Sequence, residues 1–206
     1  MVAHEHCALI LIDMQRGFIE AASSLCVAGA ASTVPVCARA LDYARRHNIL
    51  VVHAIRSYKA DGSDVETTRY DTWLTDRALS SAALDPCSHE EPAELAPVDG
   101  DITLIKPRFS AFFRTDLDAL LKERDINTVL LAGTTTPNCI RTTCYDALSL
   151  DYNVVVLEDC TSSRNDEVQK ANITDMAHIG ATIMTCENFE QGSLASLEDT
   201  VKRVRG

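Results

Sequence analysis

Apolar and polar positions alternate between two textures along the chain. Unbroken, largely apolar runs occur at 7–12 (CALILI), 49–54 (ILVVHA), 102–105 (ITLI), 128–132 (TVLLA), 153–157 (NVVVL) and 181–184 (ATIM). Continuous runs of this length suit strands covered on both faces, so they predict a parallel sheet. The segments between them carry helical spacing at 33–48, 115–124, 138–150 and 165–180. In the second of these Thr115 is the predicted N-cap, with Asp118 three residues on and Leu117, Leu120 and Leu121 on one face. In the third, Ile140, Cys144, Ala147 and Leu148 form one stripe, and Gly180 is the predicted C-terminal cap of the fourth. Strands alternating with helices predict a doubly wound, three-layer α/β/α fold.

The longest stretch without periodicity runs from about 56 to 100. Long irregular connections in compact domains tend to be lids or binding loops, so this one is expected to border a site. There is no internal repeat and no low-complexity tract, and 206 residues with 46% hydrophobic content suit one domain spanning 1–206.

Charge narrows the partners. With 30 acidic against 19 basic residues the formal charge is −11, which repels nucleic acid and anionic membrane surfaces. No apolar run reaches the length of a membrane span, and Glu5 and Asp13 interrupt the N-terminal segment before a signal-peptide core forms, so a cytoplasmic protein is expected. The eight cysteines contain no C-x-x-C pair and lie in a chain large enough to fold without staples. They are expected to be free thiols, with Cys7, Cys144 and Cys186 as buried core fillers.

In an open parallel sheet ligands sit beyond the carboxyl ends of the strands. Asp13 follows the first run, Lys106 the third, and a turn rich in threonine leads from the fourth to Cys139. Each type has an ordinary use: Asp in turns, Lys at a solvated strand end, Cys as filler. Together they form a chemical unit. Cys139 at a helix start, near Lys106, is expected to favour a thiolate, and Asp13 would exchange a proton with the thiol and a leaving group.

Other chemistries lack their residues. The turn DMQRGF has no G-x-G-x-x-G, and no G-x-x-x-x-G-K-[ST] occurs, so no nucleotide cofactor is expected. The six histidines show no metal-ligand spacing. His53 with Asp61 or Asp64 would make a scattered metal site at most, and a structural role for His53 is the preferred reading.

The set LIDMQRGF, IKPRFSAFF and GTTTPNCIRTTCYDAL resembles the isochorismatase-like cysteine hydrolase family, which includes nicotinamidases and N-carbamoylsarcosine amidohydrolases. The resemblance covers nearly the whole chain. It implies a six-stranded parallel sheet flanked by helices, a homo-oligomer (dimer or tetramer), and a triad falling on Asp13, Lys106 and Cys139. It also implies a cis peptide at Thr134–Thr135 and an oxyanion hole made by the N–H groups of Thr135 and Cys139. From the residues alone, the threonines also read as a strand extension with Pro137 opening the helix.

The implied reaction is hydrolysis of a small amide, carbamoyl or ureido compound with water, without a cofactor. Nicotinamidases of the family hold a metal through an Asp and two His after the second strand, and IRSYKADGSDVETTRYDTW offers no such histidines, so no metal is expected. Isochorismatases proper cleave a vinyl ether without needing the thiol; this activity, and a noncatalytic binding role with a vestigial triad, are the alternatives. Phe18, Arg56, Phe109 and Asn138 are the candidate substrate-binding residues. Arg69, Arg108 and Arg114 stand with Arg56 in segments that could border the mouth, where one arginine could hold a substrate carboxylate.

Overall fold

All six apolar runs are strands of one parallel sheet in the computed structural model, which describes residues 2–199 and Arg203. They are β1 (Cys7–Ile12), β2 (Leu50–Ile55), β3 (Ile102–Ile105), β4 (Thr128–Thr134), β5 (Asn153–Ser162) and β6 (Thr182–Met184), in the order β3-β2-β1-β4-β5-β6. The helices are α1 (Arg16–Ile19), α2 (Ala30–Arg46), α3 (Tyr70–Trp73), α4 (Leu117–Glu123), α5 (Arg141–Ser149), α6 (Asp166–His178) and α7 (Cys186–Glu190).

β1 shows why the runs are continuous. Leu9 and Leu11 pack into one hydrophobic core with Cys37, Ala40, Leu41 and Ala44 of α2 and Phe189 of α7. Ala8, Ile10 and Ile12 pack into another with Leu117 and Leu121 of α4, Cys144 and Ala147 of α5, and Met176 of α6. Every residue of β1 is buried, because each side of the sheet has its own helical layer.

Helix ends depart modestly from the sequence pattern. α2 starts at Ala30 and carries Pro35 inside it; Pro35 is exposed, so the helix bond it cannot donate is lost on the solvent side. α4 is shorter than expected and its N-cap is Asp116, not Thr115. The Thr115 hydroxyl donates to the Ala111 carbonyl at 2.6 Å and accepts from Leu117 N–H at 3.3 Å, which moves the cap by one residue. Asn165 caps α6 by accepting from Val168 N–H at 2.9 Å, and Gly180, at φ +114°, follows its end.

β4 and β5 run further than their apolar stretches. β4 continues through Gly133 and Thr134, and β5 through polar residues to Ser162, with a shift of register: Leu131 pairs with Val156 but Gly133 with Thr161. Gly133 is a close approach and not a turn. Its φ is +112°, and a Cβ there would lie 2.1 Å from the Ile12 carbonyl oxygen. Gly133→Ala is therefore expected to cost at least about 3 kcal/mol. A denaturant midpoint equal to wild type would contradict the close β1–β4 contact at this point.

Candidate active site

The sheet order places the topological switch point between β1 and β4, and the carboxyl ends of these strands lead to Asp13 and to Cys139. Asp13 leaves β1 at φ +53°, a left-handed conformation that Asp tolerates better than most residues, with its N–H bonded to the Ala54 carbonyl at 2.9 Å. Lys106 follows β3, two strands away or about 10 Å. Its long side chain spans that gap, and Nζ donates to Asp13 Oδ2 at 2.7 Å and to the Arg108 carbonyl at 3.2 Å. Both partners of this ion pair are buried.

Cys139 sits in a π-helical turn, Thr136–Ile140, that runs into α5. The threonines before it fasten the turn. Thr135 and Thr136 donate to the Ser162 carbonyl at 3.1 and 2.9 Å, and Ser162 Oγ donates to Thr134 Oγ1 at 2.9 Å. The Thr134–Thr135 peptide is cis. Among the described residues the Thr135 N–H has no hydrogen-bond acceptor. Behind Cys139, Thr143 Oγ1 donates to its carbonyl at 2.7 Å and accepts the Ala111 N–H at 3.0 Å, which ties α5 to the segment after Lys106.

One expectation is overturned here. Burial first, and then the Asp13 charge, push the Cys139 thiol up from its ordinary value, against the opposing charges of Lys106 and Arg56. The buried setting disfavours the thiolate instead of favouring it. The sequence reveals a helix start and a nearby lysine, but not that Cys139 is almost fully buried or that the lysine is already paired with Asp13. Asp13 Oδ1 has no hydrogen-bond partner among the described residues, and the Asp13 charge bears on the thiol.

The loop after β2 supplies a second cluster. Arg56, fully buried, forms an ion pair with Glu66, and its Nη1 donates to the Pro107 carbonyl at 3.0 Å. Glu66 also accepts from the Tyr58 hydroxyl at 2.6 Å. Burial would raise the Glu66 carboxyl, but the Arg56 charge and the Tyr58 bond outweigh it and hold Glu66 below its usual range. The guanidinium carbons of Arg56 and Arg69 lie 5.7 and 5.2 Å from the Phe109 ring centroid, and that of Arg69 lies 5.6 Å from Phe18. Phe18 is buried with Tyr58, Val65, Trp73 and Leu79.

The other candidates fall elsewhere. Asn138 is exposed, its carbonyl taken by the Thr142 hydroxyl at 2.7 Å, and among the described residues no hydrogen bond joins its side chain to the buried groups. Arg114 is exposed beside Phe113, and Arg108 uses Nη1 on the carbonyls of Asp64 and Pro107. His53 does not meet Asp61 or Asp64. Its Nδ1 is 2.7 Å from Glu91 and its Nε2 3.2 Å from Asp101, because it lies within β2 facing the return of the long loop. Among the described residues no group of three His, Cys, Asp or Glu is placed to hold a metal.

Two residues of this region were not singled out by sequence reasoning. Gln15, fully buried, accepts the Arg56 N–H at 2.7 Å and donates to the carbonyls of Arg56 and His89, both at 2.8 Å, so it sets the backbone that carries Arg56. Glu66 is one acid within a long polar loop, and nothing local distinguishes it. The signal for Gln15 was its place two residues after Asp13 at a strand end.

Strand order and the groups gathered at the switch point define a doubly wound α/β protein with a thiol, a carboxylate and an ammonium at one sheet edge. The chain belongs to the isochorismatase family, whose Isochorismatase domain matches residues 7–188. A probable inactive nicotinamidase of Arabidopsis thaliana is 38% identical over 185 residues, covering 89% of this chain and 94% of that protein. The ureidoacrylate amidohydrolase RutB of Enterobacter sp. is 32% identical over 207 residues, covering 91% and 89%. The crystal structure of an isochorismatase family protein from Desulfovibrio vulgaris is similar with a TM-score of 0.84 at 40% identity, covering 90% of this chain and 97% of that one. Among the described residues no helix is long and apolar enough to cross a membrane.

Proposed function

We propose that this protein is a cysteine-dependent amidohydrolase that cleaves the C–N bond of small amide, carbamoyl or ureido compounds through a thioester on Cys139. The observation that carries the reading is the buried Asp13–Lys106 pair at 2.7 Å, whose carboxylate also acts on the Cys139 thiol. Similarity to a ureidoacrylate amidohydrolase supports the bond class. The Arabidopsis relative is named for inactivity as a nicotinamidase, which concerns nicotinamide and leaves other amides open.

The chemistry follows from a buried thiol whose ionisation is disfavoured. As sulfur attacks the carbonyl carbon, its proton passes to Asp13, so thiolate charge never has to persist in a buried site. The N–H groups of Thr135 and Cys139 stabilise the oxyanion. Asp13 then gives the proton to the departing nitrogen, leaving a thioester. Water attacks the thioester with Asp13 again as base, and the released sulfur regains its proton. Lys106 holds Asp13 in place between these steps through their ion pair.

The metal site of nicotinamidases does not fit the donors present. The segment IRSYKADGSDVETTRYDTW after β2 has no histidine, and His53 is committed to Glu91 and Asp101. Protein treated with a chelator is therefore expected to release ammonia at an unchanged rate, and to prefer acyclic amides and ureido compounds over aromatic carboxamides. Ammonia release across such a panel is the test. No release from any member would refute the amidohydrolase reading, and activity lost to chelation and restored by zinc or iron would refute its metal independence.

A further inference from the structure

Gln169, in the first turn of α6, is bonded to two neighbouring elements at once. Its Oε1 lies 2.6 Å from the hydroxyl of Thr136, in the turn that carries Cys139, and its Nε2 lies 2.9 Å from Thr161 Oγ1 in β5. One half-buried side chain thus ties the turn of the thiol to a strand beside it.

Proton counting fixes which way the amide points. Nε2 also faces the carbonyl oxygens of Glu158 and Thr161, each at 3.4 Å, where the register of β5 shifts against β4. Turning the amide over would set its oxygen against two carbonyl oxygens, so the nitrogen belongs there and the oxygen on Thr136. Thr161 Oγ1 is free to accept because its own proton goes to the Glu158 carbonyl at 2.9 Å. The Thr136 hydroxyl has one proton and two acceptors, Gln169 Oε1 and the Ser162 carbonyl at 2.9 Å. Ser162 also receives the Thr135 hydroxyl at 3.1 Å, whereas among the described residues Oε1 has no other donor, so the shorter bond takes the proton. A directed chain results, from Thr136 through Gln169 and Thr161 to the Glu158 carbonyl.

Its position gives the chain a use. Thr136 is fully buried and stands between Thr135 and Cys139, whose N–H groups the amidohydrolase reading assigns to the oxyanion. The N–H groups of Asn138 and Ile140 hold the Thr135 carbonyl at 3.1 and 3.3 Å, and Gln169 holds the residue that follows it. Among the described residues no hydrogen bond joins Gln169 to Asp13, Lys106 or Cys139, so its influence runs through the backbone of the turn.

We propose that Gln169 is a positioning residue, which sets the N–H groups of Thr135 and Cys139 for the oxyanion by holding the Thr136 hydroxyl. This rests on the amidohydrolase reading for the word oxyanion, but the positioning is testable without turnover. Donors aimed at a developing charge work only when held in place, so a loosened turn weakens the oxyanion and leaves the sulfur as it was.

The test compares two reactions of the Cys139 thiol in wild type and in Gln169→Met, which keeps the volume and loses the amide. Propionaldehyde adds reversibly: sulfur bonds to the aldehyde carbon, the thiol proton ends on the former carbonyl oxygen, and that oxygen occupies the oxyanion position. Methyl methanethiolsulfonate places a methylthio group on the sulfur and expels methanesulfinate, with no carbonyl oxygen involved. Mass spectrometry of the peptide containing Cys139 reads both. The aldehyde concentration that half-protects Cys139 is expected to rise about tenfold in Gln169→Met, while the thiosulfonate rate stays within about twofold. On any amide that the wild type hydrolyses, kcat is expected to fall about tenfold with KM within about twofold. Thr161→Val, which removes the acceptor that orients the amide, is expected to act in the same direction by less, and the double variant to be no worse than Gln169→Met. It keeps the test valid if Gln169→Met does not fold. Unchanged aldehyde protection in the folded variants, a thiosulfonate rate that changes by the same factor, or no aldehyde protection of the wild type overturns the proposal. The expected aldehyde result with no ammonia released by the wild type from any amide removes the amidohydrolase reading and leaves the role of Gln169. Hydrolysis by the wild type that Gln169→Met retains in full does the reverse.

Discussion

Cys139→Ala is expected to lower ammonia release from the best amide substrate by about 10³-fold or more, with an unfolding midpoint near wild type. The loss is large because no neighbouring group replaces the nucleophile: Asp13 is engaged by Lys106, and Thr143, whose hydroxyl lies on the Cys139 carbonyl, faces the helix backbone. The stability change is small because the substitution removes one sulfur at a turn held by the bonds of Thr135 and Thr136 to Ser162. Cys144→Ala is the control. Its thiol is buried in the core, where burial pushes it up to about 12, so the variant loses packing by about 1 kcal/mol and keeps turnover. Full turnover by the Cys139 variant would instead favour an ether-cleaving chemistry in which Asp13 is the acid.

Asp13→Asn separates the two halves of the account because its effects have opposite signs. Hydrolysis is expected to fall by about 10²–10⁴-fold, since an amide cannot carry the proton in either half-reaction. The thiol, however, becomes more acidic. After burial, the Asp13 charge raises the Cys139 pKa while that of Lys106 lowers it, so removing the carboxylate is expected to shift thiolate formation to lower pH. Alkylation of Cys139 by a neutral electrophile should thus accelerate at neutral pH in the variant that no longer turns over. Asn also tolerates the φ of +53°, which keeps the backbone in place. Alkylation no faster than wild type would mean that Asp13 does not face the thiol.

The pattern of the chain made the sheet legible and left its chemistry half visible. CALILI and ITLI mark β1 and β3 to the residue: β1 is buried on both faces and admits no polar position, whereas β3, at the sheet edge, is only partly covered and carries Thr103. β4 and β5 were cut short for the same reason in reverse. Gly133 and the polar EDCTS look like loop, although Gly133 is there for contact with β1 and Thr161 and Ser162 continue the pairing. Asp13, Lys106 and Cys139 stood out as polar residues at strand ends. What sequence could not give was the state of the thiol, since burial and the pairing of Lys106 arise only when distant strands meet. Nor did it separate Arg56 and Arg69, which converge on Phe109, from Arg108 and Arg114, which do not.

Mass spectrometry of wild-type protein quenched in acid during turnover tests the central claim most directly. The account predicts an added mass equal to the acyl or carbamoyl part of the substrate, on the peptide that contains Cys139 and absent from Cys139→Ala. Turnover with no adduct at any time, together with full activity of the alanine variant, would contradict it.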